Sequence, residues 1–318
     1  MHLPHRYDVL VVGRPTVDLV FTNIPSWPAL GQEVYAEGFL VAAGGAFNMV
    51  AALHRLGFAV GMVGVVGNDP WSRLALSIME AEGVSTELIR ILPEPLPSVS
   101  VCMTYQGDRG FVSYEERRQV YEDAFRSHAL AVIGRVEAPL LHAYLGPDLP
   151  LYKAEADRRG MRLTVDTGWD EAWLKSSRIW ELLPLPDLVF ANEAEARAIT
   201  GATDACAALR RLGEAARFVV LKRGADGSSA IVDGVEYHAP TQPVEVVDAT
   251  GAGDCFNAGF LYGWRKGMSV TEALNLGNIC GGLNVQRAGG YAGAPREAEL
   301  IAAAEAAGIT VPKRRHEK

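Results

Sequence analysis

No stretch of the 318 residues reaches the roughly 18 consecutive apolar positions that a membrane-crossing helix needs. Cysteine is scarce. Cys102, Cys206, Cys255 and Cys280 stand far apart with no C-x-x-C, which excludes a disulfide framework and a cysteine zinc site. The histidines do not cluster with them. Positive charge is in deficit, with 30 Lys and Arg against 38 Asp and Glu, for a net charge of −8. Such a chain is a poor general ligand for nucleic acid or an anionic membrane, although a local cationic pocket for one anion stays open. The polar start carries no signal-peptide pattern, so the expectation is a cytoplasmic protein. Also missing are a G-x-x-x-x-G-K-[ST] phosphate loop, a G-x-G-x-x-G after the first strand and the protein-kinase motif set. No repeat or low-complexity segment is present.

What is there is an ordinary globular mixture, 49% hydrophobic and 21% charged, which excludes a mostly disordered chain. Short apolar runs, Asp8–Gly13, Val60–Gly67, Arg162–Asp166, Leu188–Asn192 and Phe218–Lys222, read as strands. They are continuous rather than alternating, which suits a parallel sheet covered on both faces. Helical patterns fall between and after them, at Ala46–Leu56, Pro70–Glu82, Leu149–Arg159, Ala205–Ala216, Ala252–Lys266, Val270–Gln286 and Arg296–Ala307. Strand alternating with helix predicts an α/β fold. Two stretches break the rhythm. Residues 14–40 hold Pro15, Pro25 and Pro28 and no helical period, and 99–114 reads as a hairpin about Gln106-Gly107-Asp108-Arg109-Gly110. Together they predict a small separate sheet over one edge of a main domain covering 1–312. The charged tail, 313–318, is expected to fray.

The sharpest local feature is Asp248-Ala249-Thr250-Gly251-Ala252-Gly253-Asp254, with a strand expected at Val244–Val247 before it and a helix after it. Small residues let several backbone N–H groups converge at a helix N-terminus, where an anion is favoured. A carboxylate inside such a nest would repel phosphate. Asp254 makes sense there as the acceptor of a proton from a hydroxyl that attacks the phosphate held by the nest. The plainer alternative is that Asp254 caps the first helical turn.

This motif resembles D-T-x-G-A-G-D, the second signature of the PfkB (ribokinase-like) family of small-molecule kinases, with Ala249 as a departure. Ala43-Gly44-Gly45-Ala46-Phe47-Asn48 resembles the family's first signature, with Val50 where a small residue is usual. Asn192-Glu193-Ala194-Glu195 resembles its N-x-x-E element. Lys222-Arg223-Gly224-Ala225-Asp226-Gly227 resembles its nucleotide-binding strand and turn. The four occur in the family's order across most of the chain.

The resemblance implies a three-layer α/β/α fold with a mostly parallel central sheet and a small β-sheet lid, the lid also serving a homodimer. It implies ATP-dependent phosphorylation of a hydroxyl, with Asp254 as base and the amides of Gly251, Ala252 and Gly253 as anion hole. Asn192 and Glu195 would organise Mg²⁺ through water beside the phosphates, and Lys222, Gly224, Gly227 and Thr250 would bind ATP. Thr16, Asp18, Gly44, Gly45 and Asn48 would bind the acceptor. Asp248, Thr250, Asn284, Gly289 and Gly293 would hold a monovalent cation, usually K⁺. The acid that ribokinases carry after the strand ending at Tyr144-Leu145-Gly146-Pro147 is missing there. Its absence speaks against ribose, and the expected acceptor is an unphosphorylated sugar or sugar acid. A nucleoside, a sugar phosphate, or a silent ligand-binding role are the alternatives.

Overall fold

The computed structural model describes residues 7–106 and 108–312; the tail 313–318, expected to fray, lies outside them. From the start, β1 (Val9–Val12) leads to the antiparallel pair β2 (Pro15–Thr22) and β3 (Gly38–Gly45), then α1 (Phe47–Arg55), β4 (Val60–Val66), α2 (Pro70–Ala81) and β5 (Ile89–Ile91). A hairpin follows, β6 (Ser98–Tyr105) and β7 (Asp108–Glu115). The middle alternates through α3 (Gln119–Ile133), β8 (Leu140–Tyr144), α4 (Leu149–Arg159), β9 (Arg162–Asp166), the short α5 (Glu171–Leu174) and α6 (Ile179–Leu182), and β10 (Leu188–Asn192). Next come α7 (Glu193–Thr200), α8 (Ala205–Ala215), β11 (Phe218–Lys222), and the hairpin β12 (Ser228–Val232) and β13 (Val235–Ala239). The chain closes with α9 (Ala252–Arg265), α10 (Val270–Asn284) and α11 (Glu297–Ala306).

Among the described residues the larger sheet has nine strands in the order β13-β12-β11-β10-β9-β8-β1-β4-β5, parallel from β11 to β5, with an antiparallel hairpin at the other edge. Successive side chains of a strand point to opposite faces. In β1, Val9 and Val11 enter one core with α1, α9 and α10, while Leu10 and Val12 enter the other with α3, α4, α7 and α8. β10 divides likewise, Leu188 and Phe190 against Val189 and Ala191. Burial on both faces is why these strands read as unbroken apolar runs. Among the described residues no helix is long and apolar enough to cross a membrane.

The second sheet, β3-β2-β6-β7, is built from the two stretches that broke the rhythm. It is more regular than the sequence suggested. Residues 15–22 and 38–45 pair in register from Pro15↔Gly45 to Thr22↔Gly38, and Asp108–Gly110, expected in the turn, belong to β7. The registers align Val41, Leu19, Val101 and Val112 across all four strands, with Phe39, Phe21 and Met103 beside them. The opposite face carries Thr16, Asp18, Ser98, Ser100 and Ser113, and these line a cleft between the two sheets.

Two further expectations need correction. Val244–Val247 is not a strand. The sheet edge, β13, ends at Ala239, so those residues have no strand partner, and the backbone N–H groups of Val247 and Asp248 donate instead to Val285 O at 2.8 and 3.1 Å. Helix α3 escaped the sequence reading, because its apolar stripe is weak and polar residues interrupt it.

Candidate active site

Parallel sheets bind ligands beyond the carboxyl ends of their strands. Here those ends deliver Gly13 after β1, Tyr144 and Gly146 at β8, Asp166 at β9, Asn192 at β10 and Lys222 at β11 to one cleft of about 940 Å³. Thr16, Asp18, Gly45, Asn48, Glu195, Thr250, Gly253 and Asp254 line the same cleft. Gly44 does not line it but backs it: a Cβ there would stand 1.9 Å from Asp18 Oδ2. Gly224 and Gly227 lie outside the lining. They shape the turn after β11, where Gly227 has φ 78° and a Cβ would meet Ala239 O at 2.2 Å.

The glycine nest is held tightly. Gly251 caps α9 with φ 66°, and a Cβ on it would lie 1.7 Å from Gly290 O. Gly290 in turn packs on Asn48, whose side-chain oxygen would be 2.3 Å from a Cβ at 290. Asp254 sits in the first turn of α9, partly buried at the cleft wall. Burial first, then the nearby Asp166 charge, push its carboxyl up to about 7, against the opposing pull of Lys222 and a hydrogen bond from Asn48. A carboxylate poised near neutrality suits a general base. Asp18, buried in β2, is likewise pushed up to about 7 by burial and by Asp248. The thiol of Cys255 is buried and raised by that burial, a packed side chain rather than a reactive one.

Asn192 and Glu195 form a capping box on α7. The Asn192 side chain accepts from Glu195 N at 2.9 Å, and Glu195 Oε2 accepts from Asn192 N at 2.8 Å and from Thr167 Oγ1 at 2.6 Å. Glu195 is buried, and burial followed by the Asp166 charge raises its carboxyl. The residues expected around a monovalent cation do meet, joined by hydrogen bonds, while Asn284 Oδ1 among them is buried with no hydrogen-bond partner. Asp248 accepts from Thr250 N at 2.9 Å, Thr250 Oγ1 at 2.7 Å and Gly289 N at 2.9 Å. Asn284 Nδ2 donates to Thr250 O at 3.0 Å and Gly290 O at 3.3 Å, and Gly293 packs on the Leu283 and Asn284 carbonyls.

Three participants were not legible as site residues. Asp166 pairs with Lys222 Nζ at 2.6 Å and takes a further bond from Asn257 Nδ2. Its place as the last residue of a buried strand was the available signal. Asn257 lies three residues after Asp254 on one helix face. Asp148, just past Pro147, also lines the cleft, but it is bound to Arg126 at 2.5 Å. An acid therefore stands close to where the ribokinase one was missed, already paired.

Residues 8–297 match the pfkB family of carbohydrate kinases. The chain belongs to that family. This PfkB-family chain is 26% identical over 308 residues to a ribokinase of Bacillus subtilis, covering 92% of this chain and 98% of that protein. It is 30% identical over 284 residues to a cytidine kinase of Thermococcus kodakarensis, covering 85% and 93%. The structure of Arabidopsis thaliana ribokinase complexed with ribose and ATP superposes with a TM-score of 0.76 at 22% identity, over 94% of this chain and 98% of that one. The PfkB member described here is thus a sugar or nucleoside kinase with the ribokinase-like α/β fold.

Proposed function

We propose that the protein phosphorylates a hydroxyl of a small neutral sugar at the expense of ATP, with Asp254 as general base and the Gly251, Ala252 and Gly253 amides as anion hole. The observation that carries this reading is the placement of Asp254 at the α9 N-terminus, across the cleft from the polar face of the small sheet. That face offers Asp18 with hydroxyl pairs, Thr16 to Ser98 at 2.9 Å and Ser100 to Ser113 at 2.7 Å, which suit a polyol. Asp254 takes the hydroxyl proton as the oxygen attacks. Asn48, donating to Asp254, orients it.

Of the nest residues Gly253 lines the cleft, where a Cβ would lie 3.2 Å from Lys222 Nζ, and the close approach of Gly290 O fixes the turn at Gly251 behind it, which leaves room for a phosphate group at Gly253. ATP supplies the phosphoryl group. Among the described residues no cluster of three acidic, histidine or cysteine side chains is arranged to hold a metal. Asn192 and Glu195 would hold Mg²⁺ through water, where it would offset the charge of the phosphates.

Charge argues for a neutral acceptor. Apart from Lys222, at the nest end, the cationic side chains lining the cleft among the described residues are ion-paired, Arg14 with Glu122 at 2.7 Å and Arg117 with Glu115 at 2.9 Å, so the acceptor end presents no unpaired cation to a phosphate or carboxylate. Phe111, Tyr114 and Trp169 on the cleft wall favour a second reading, a nucleoside whose base stacks on them. The apolar outer face of the small sheet, with Phe39, Val41 and Val112 exposed, supports a homodimer through the lid. A coupled ADP-release assay across neutral sugars, sugar acids, sugar phosphates and nucleosides tests the reading. Turnover confined to phosphorylated or acidic acceptors refutes the neutral-sugar assignment.

A further inference from the structure

Lys222 closes β11 with its ammonium turned under the glycine nest. Its Nζ lies 2.6 Å from Asp166 Oδ2, and a Cβ placed on Gly253 would lie 3.2 Å from the same nitrogen. The pair is nearly sealed, with side chains 11% and 8% exposed. Asp166 is itself fixed, accepting from Asn257 Nδ2 and, at 3.3 Å, from Gly168 N. Burial alone would raise the Asp166 carboxyl, but the Lys222 charge and the hydrogen bonds from Lys222 and Asn257 together hold it low.

A buried ion pair is a poor way to stabilise a fold, because desolvation consumes most of the attraction. Apolar side chains at two buried strand ends would serve the fold better. The pair stands instead where parallel sheets bind ligands. Asp166, Glu195 and Asp254 line this end of the cleft, and Lys222 is the cation among them. With Glu195 taken up by Mg²⁺, a polyphosphate arriving there still meets the carboxylates of Asp166 and Asp254, and the nest amides carry only partial charges.

We propose that Lys222 is a catalytic residue whose ammonium donates to the transferring phosphoryl group beside the Gly251–Gly253 amides, and that Asp166 and Asn257 are positioning residues that hold it there. This rests on the kinase reading above. In the step, the acceptor oxygen bonds to phosphorus as the bond from phosphorus to the ADP oxygen breaks. The hydroxyl proton passes to Asp254, and Lys222 keeps its proton throughout. The ammonium offsets the growing charge on the phosphoryl oxygens, and it also explains how a base can stand inside an anion nest.

The test uses the full-length protein and the acceptor that turns over in the panel. Lys222→Met lowers kcat by about 10²–10³, the usual loss for one preorganised donor, and leaves the acceptor KM in place. By calorimetry, the variant loses affinity for a non-hydrolysable ATP analogue about tenfold and for ADP much less, since the lost contact is to the terminal phosphate. Lys222→Arg recovers part of the rate. Asp166→Asn loses less than Lys222→Met, and the double variant is no worse than Lys222→Met alone, as for residues acting as a unit. A merely structural lysine would lower the melting temperature and leave the preference for the ATP analogue over ADP at its wild-type value, which overturns the proposal. Multiplying losses in the double variant also overturn it. If Lys222→Met does not fold, Lys222→Gln is read on the same two measurements. Wild-type protein that neither turns over any acceptor nor binds the ATP analogue refutes the kinase reading itself.

Discussion

Replacing Asp254 by Asn tests the base and the electrostatics of the cleft together. The carboxyl is pushed up to about 7 by burial and by Asp166. It accepts a proton only when ionised, so kcat/KM should rise with pH and level off above about 7. At pH 6 roughly a tenth of the sites are ionised, and below that the rate should fall about tenfold per pH unit. Asp254→Asn should lose about 10²–10⁴ in kcat and with it the acid limb, while the affinity for ATP stays near wild type. Stability should move the other way. A carboxyl with a raised folded-state pKa binds more protons folded than unfolded between about pH 4 and 7, so the fold loses stability as pH rises through that window. Above it the full cost stands, on the order of a few kcal/mol at 1.36 kcal/mol per pH unit. The Asn variant escapes that cost. Its melting temperature at pH 8 should exceed wild type by about 5 °C, a gap that closes as the pH falls toward 4. Steady-state rates from pH 5 to 9 and thermal melts at pH 5 and 8 measure both. Turnover near wild type in the variant, or an unchanged acid limb, would remove Asp254 from the base role.

Glu195→Gln keeps a capping-box side chain at this position of α7 and removes only its charge; the Mg²⁺ concentration for half-maximal rate should rise with the melting temperature nearly unchanged, and an unchanged Mg²⁺ curve would leave Glu195 a cap alone. Gly44→Ala places a methyl 1.9 Å from Asp18 Oδ2, so Asp18 must move, and the acceptor KM should rise about tenfold or more with the ATP KM fixed; equal changes in both constants would deny Asp18 its acceptor role. Gly251→Ala meets Gly290 O at 1.7 Å from a φ of 66°, and should abolish activity and cost several degrees in melting temperature; a variant with wild-type turnover would show that the nest tolerates being opened.

Much of this protein was determined by its sequence read locally. Strands buried on both faces declare themselves as apolar runs, so the edges of β9, β10 and β11 were legible to the residue. The nest was legible because only small residues permit its backbone, and at Gly251 a positive φ and the approach of Gly290 allow no other. The alternation Ser98-Val-Ser-Val-Cys-Met-Thr-Tyr encodes a strand with one polar and one apolar face, but which face meets the cleft depends on pairing with β2 across 80 residues of chain. Tertiary structure alone made Asp166 a partner of Lys222, since charges 56 residues apart meet only when β9, β10 and β11 lie side by side. It alone turned the expected strand at Val244–Val247 into a loop, because strand formation needs a neighbouring edge and β13 had already ended. It also brought the residues of the expected cation site together, with Asp248 accepting from Thr250 and from Gly289, 41 residues away. Spacing reveals what the backbone permits in one place, whereas the pairing of distant charges and donors is decided by how the sheets bring their ends together.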